Sequence, residues 1–171
     1  MDAMPVFRMA LQNAHKYFKA TVTDLTPDDA HYIPPGVAHP IGARYAHAII
    51  GDDVLANALL AGGAPLYVTT FKDKTGINNP DLDTDLEKAR QIKLDLPHVA
   101  KYMDAVFAAS EAHFESLTEK DLERTVDLTA QGIGVIPISV FLADFIVGHL
   151  HDVMGEISAV KGLLGKKGYP F

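Results

Sequence analysis

Apolar residues recur at spacings of three and four through four stretches of the chain, the period of a helix that buries one face. In the first stretch, residues 5–23, the shared face holds Phe7, Leu11, Ala14, Phe18 and Val22, and Pro5 suits a first helical turn. The second, residues 41–61, runs through Ala43, His47, Ile50, Val54, Ala58 and Ala61 to the stop at Gly62-Gly63. Its face is thin, because Ala43, Gly51 and Ala58 flank His47 and leave space beside the imidazole for close helix approach or a pocket. Pro97 opens the third, with Val99, Met103, Val106, Phe114 and Leu117 on one side, and the fourth spans residues 138–164.

Between the second and third helices the chain from Ala64 to Asp85 is irregular, with Gly76, Asn78-Asn79-Pro80 and a cap-like Asp83-Thr84-Asp85 cluster. A short helical stretch around Leu86–Ile92 follows. A connection this long exceeds what joins antiparallel neighbours, so helices two and three are expected to run parallel. Between helices three and four, Thr125–Thr129 alternates with period two and Gly132–Ile136 can return beside it, predicting a small β-hairpin arm. The expected architecture is all-α: residues 1–171 form one domain, a four-helix bundle with one long crossover between helices two and three.

At about 100° per residue, Ile138, Leu142, Phe145, Ile146, Val153, Val160 and Leu163 fall within about 60° of His149, and Glu156 falls there too. A core stripe excludes ionisable groups unless they are paired or bind something. Of the eight histidines, His31, His39, His98 and His151 read as surface residues, while His15, His47, His113 and His149 point along the apolar faces of helices one to four. Each inward ring is either a satisfied core histidine or one of a set converging on a divalent transition metal, for which imidazole is the best ligand available without cysteine. Position i+4 from His149 is Val153, so the usual helical pair of ligands is incomplete. Arg44, about 60° from His47, either steers an anionic substrate or runs out to solvent; the second is the simpler reading.

Composition narrows the partners. A net charge of −7 gives no basic stripe for nucleic acid, and zero cysteines exclude a disulfide scaffold, a thiolate metal site and a cysteine nucleophile. The first twenty residues lack the uninterrupted apolar centre of a signal peptide, and no membrane span is expected, so the expected location is the cytoplasm. A homodimer is the expected assembly.

Two segments, Pro40–Asp53 and the C-terminal phrase Gly155-Glu156-Ile157 with Lys161–Phe171, resemble the DinB/YfiT-like family of four-helix bundles over essentially the whole chain. That resemblance implies a metal, zinc or nickel, held by a histidine in helix two and a His-x-x-x-His pair in helix four. His47 and His149 match the first two positions, and Val153 stands at the third. It also implies thiol-dependent transferase or isomerase chemistry using a small thiol, in some members. Three readings are open: a metal-dependent enzyme with an altered site, its further ligand drawn from His15, His113 or Glu156; a metal-free bundle that binds a small molecule; and a structural bundle without a ligand.

Overall fold

The computed structural model describes residues 2–77 and 85–171. Helix α1 (Met4–Val22) carries Pro5 in its first turn and buries Leu11, Ala14 and Phe18. A one-turn helix, α2 (Pro27–His31), is closed by a capping box in which Thr26 and Asp29 satisfy each other's backbone N–H. Helix α3 (Ile41–Asp52) continues without a break into a π-helical stretch, Asp53–Leu60. After the crossover come α4 (Leu86–Arg90), capped by Asp85, and α5 (Leu96–Ser116), capped by Asp95. Asp85 thus caps as expected, while Asn78–Pro80, Asp83 and Thr84 lie outside the described residues.

The alternating segment forms the expected hairpin: β1 (Thr125–Leu128) pairs antiparallel with β2 (Gly134–Pro137), Val126 opposite Ile136. The last long helix then starts as α6 (Ile138–Val140), widens into a second π-helical stretch, Phe141–Gly148, and ends as α7 (His149–Leu163). Residues 138–163 are long and apolar enough to cross a membrane by length and composition. In the bundle, Ile138, Phe141, Leu142, Ile146, Leu150 and Ile157 are all buried, so at these positions the apolarity serves the core.

Side-chain pairs fix the helix directions. Tyr45 meets Met103 and Asp52 meets Ser110, so α3 and α5 run the same way, as the long crossover requires. His15 meets Glu111 and Lys19 meets Asp104, so α1 opposes α5. Arg44 meets Glu156 and His47 meets His149, so α3 opposes α7. Two cations finish helix ends: Arg8 donates to the carbonyls of Phe114, Glu115 and Leu117 at the end of α5, and the buried Lys161 donates to that of Thr21 near the end of α1.

The crossover is tied down by one carboxylate. Asp53, fully buried, accepts from the backbone N–H of Leu66 (3.0 Å) and Tyr67 (2.8 Å), from the Tyr102 hydroxyl (2.7 Å) and from Asn57 Nδ2 (3.2 Å). Burial and the adjacent Asp53 charge push the Tyr102 phenol far above its ordinary value, keeping it a donor. Further along, Gly76 sits at φ +77°, and a Cβ there would fall 2.1 Å from the Lys93 carbonyl oxygen, so only glycine fits where the crossover meets the approach to α5.

The π-helical stretches correct the phase of the sequence reading. A π turn holds more residues than an α turn, so a face drawn at constant 100° drifts across it. Beyond Asp52 the buried positions are Asp53, Ala56 and Asn57, while Val54, expected inward, is 41% exposed. On α7 the buried stripe is Leu150, Val153, Met154, Ile157 and Val160, which places His149 at its margin. Leu163, expected inward, is exposed.

Candidate functional site at the α3–α7 seam

Two rungs of polar side chains cross the seam between α3 and α7. In the first, His47 Nε2 and His149 Nε2 stand 2.8 Å apart, with ring planes inclined at 78° and centroids 4.7 Å apart. Both rings are half-buried. Without a cation between them, one ring must donate from Nε2 and the other accept there, which puts the accepting ring's proton on Nδ1. The approach depends on Gly51: a Cβ built there would fall 2.8 Å from His149 Cε1 and 3.3 Å from Nδ1. The thin face read beside His47 is therefore the space that the second imidazole fills.

In the second rung, Arg44 Nε lies 3.3 Å from Glu156 Oε2. Arg44 is 5% exposed, so its guanidinium does not run out to solvent as the simpler reading had it. Glu156, expected inward, has a side chain 54% exposed. It lies two turns along α7 from His149 and shares its phase, and that phase is the margin of the core stripe.

The remaining candidates are elsewhere. His15 is buried and stacked on Phe107 with ring centroids 3.8 Å apart, its Nε2 2.9 Å from Asp52 Oδ2 and its Nδ1 2.8 Å from Glu111 Oε1. Ser110 Oγ donates to the other Asp52 oxygen at 2.5 Å. Both ring nitrogens are thus committed, and His15 is a satisfied core histidine. His113 sits near the end of α5, where burial and then Arg124 hold its imidazole below the usual value; its Nε2 has no hydrogen-bond partner among the described residues. Val153 is 3% exposed and belongs to the core. Among the rings expected at the surface, His31 Nε2 accepts from the Leu94 N–H at 2.9 Å, and burial followed by Lys93 lowers its pKa.

The family model of the DinB superfamily matches residues 10–157. The chain belongs to the DinB superfamily. A solved structure, a conserved protein from Enterococcus faecalis, superposes with a TM-score of 0.74 at 19% identity, covering 95% of this chain and 99% of that one. At that identity the likeness speaks for the fold. No curated protein matches the chain.

Tested as a metal centre, the first rung fits by donor chemistry: two imidazole nitrogens from facing helices meet, and imidazole suits zinc and nickel, though at 2.8 Å the rings would have to turn apart to admit an ion. Among the described residues the donor count at this rung stops at two. Among the described residues no group of three His, Asp or Glu side chains is placed to hold one metal ion, and one turn beyond His149 the core residue Val153 offers no lone pair. Sequence reasoning found both rings but missed the buried acids Asp52 and Asp53. Their signal was there, two adjacent carboxylates inside the apolar run Ile49–Leu55.

Proposed function

We propose that this DinB-superfamily bundle works through the His47–His149 pair, and that the pair takes up a divalent metal, zinc or nickel, on its two Nε2 atoms. The observation that carries the reading is the meeting of two half-buried imidazoles, one from each helix, across a seam cleared of a side chain at Gly51. The metal would supply Lewis acidity, lowering the pKa of a bound water or small thiol. His47 and His149 would hold it, and Gly51 would keep the His149 ring free to turn. With two donors at this rung among the described residues, binding would be weaker than at a three-ligand site and would leave more positions to solvent or to a small ligand.

One observation favours a second reading. A separation of 2.8 Å is that of an N–H···N hydrogen bond, and with Val153 in the core the pair is complete as a metal-free proton-sharing couple that could bond a small ligand. Metal content of protein purified without chelator, with zinc titrations of the wild type, His149→Ala and Val153→His, separates the two. The metal reading expects zinc binding in the wild type, its loss in His149→Ala and tighter binding in Val153→His. No zinc uptake by folded wild type, even at millimolar metal, would overturn it and leave the metal-free couple.

A further inference from the structure

A pocket of about 350 Å³ adjoins the second rung, walled by Val37, Ala38, Ala159 and Val160 and carrying His39 and Glu156 as its polar lining. Its volume suits a small molecule. Glu156 belongs both to this pocket and to the ion pair with Arg44, so the buried guanidinium, which does not itself line the cavity, is one side chain away from it. The two partners are unequal: Arg44 is 5% exposed and fixed in the core side of α3, whereas the Glu156 side chain is 54% exposed and meets Nε at 3.3 Å. A guanidinium presents a planar fork suited to carboxylates, and the half-solvated member of such a pair is the one that can be exchanged.

We infer that this pocket binds a small monocarboxylic acid, whose carboxylate takes the place of Glu156 on Arg44 while its apolar body lies against Val37, Ala38, Ala159 and Val160. Glu156 then turns outward, where it is already more than half solvated. The exchange is one carboxylate for another, so the buried cation keeps a counter-charge throughout and avoids the cost of desolvation without a partner. The apolar walls select an acid with a hydrocarbon body over acetate or a diacid, whose second charge would face those walls and Glu156. The site needs no metal and is independent of the metal reading of the two histidines.

The test is binding of benzoate and its neutral shape-mate benzamide, followed by ligand-observed NMR and calorimetry in the presence of chelator, on wild type, Glu156→Gln and Arg44→Lys. Glu156→Gln removes the competing charge while keeping the shape; if the native pair occupies Arg44 about nine-tenths of the time, benzoate should bind about ten-fold tighter. Benzamide should bind poorly to both. Arg44→Lys keeps the positive charge but loses the fork, and should weaken benzoate in protein that circular dichroism shows to be folded. Equal binding of acid and amide, or benzoate affinity unchanged by Glu156→Gln, would overturn the inference. Chelator excludes any contribution from a metal at His47 and His149, so the outcome leaves that separate reading to its own titration.

Discussion

Replacing Gly51 by alanine sets two effects of similar size against each other at the α3–α7 seam. Alanine inside a helix is favoured over glycine by up to about 1 kcal/mol, through lower backbone entropy in the unfolded chain. The added methyl would fall 2.8 Å from His149 Cε1, closer than any relaxed carbon contact, so the ring must move. The obstructing atom belongs to a half-buried side chain rather than to backbone, and turning it away forfeits the Nε2 to Nε2 contact, a loss of about 1 kcal/mol. Global stability should therefore change by less than about 1 kcal/mol, which for a domain this size is a Tm shift within about 4 °C. The imidazole pair should nonetheless be broken: two-bond ¹H–¹⁵N correlation spectra should show changed Nε2 resonances for His47 and His149 and, on the metal reading, zinc affinity should fall. If those resonances are those of the wild type, the cleared space at Gly51 is not what admits the second ring. A loss of more than about 3 kcal/mol would also refute the argument, because it would mean overpacking that the ring does not relieve.

Asp53→Ala strands the Tyr102 hydroxyl and Asn57 amide in the core while the Leu66 and Tyr67 N–H groups can turn to water, so chemical denaturation should register a loss of about 2–5 kcal/mol. Hydrogen exchange should quicken first in residues 66–77, and uniform protection there would show that the carboxylate does not anchor the crossover. Burial alone would raise the Asp29 carboxyl, but hydrogen bonds from Lys166 and Thr26 outweigh it and hold the pKa at about 2. Because the folded value is depressed, the linked stability is present above pH 4 and is lost as pH falls toward 2; an NMR titration of Lys166→Met should find the Asp29 midpoint raised, and an unchanged midpoint would remove Lys166 as a cause.

The sequence pattern carried the helices well because each has a strong apolar period over many turns, and the hairpin because Thr125–Thr129 alternates cleanly. Parallel α3 and α5 followed from connection length alone. The seam was half legible: His47 and His149 stood out as ionisable groups on apolar helices, and Gly51 as missing bulk between them. Arg44 and Glu156 were misplaced for a common reason. Both sit at the margin of a core stripe, where phase resolves a residue's direction no better than the stripe is wide, and a few tens of degrees separate a buried guanidinium from a solvent-facing one. Asp52 and Asp53 escaped because their donors, Ser110, Tyr102 and the N–H groups of Leu66 and Tyr67, come from distant parts of the chain that no local period records. Small-molecule chemistry, oligomeric state and location in the cell are encoded in none of these patterns.

The two wide-turn stretches lie together on one side of the imidazole pair, one beginning directly after Asp52 and the other ending at Gly148, and they pack on each other. A wide turn is how a helix stores a surplus residue without rotating the turns beyond it. Loss of one residue between Phe141 and Gly148 would tighten the helix to ordinary pitch and still deliver the ring of position 149 to the same seam, whereas a deletion within α7 would swing every later side chain by about 100°. These segments are thus tolerance zones for length change, where the chain can lose a residue while the paired imidazoles stay put.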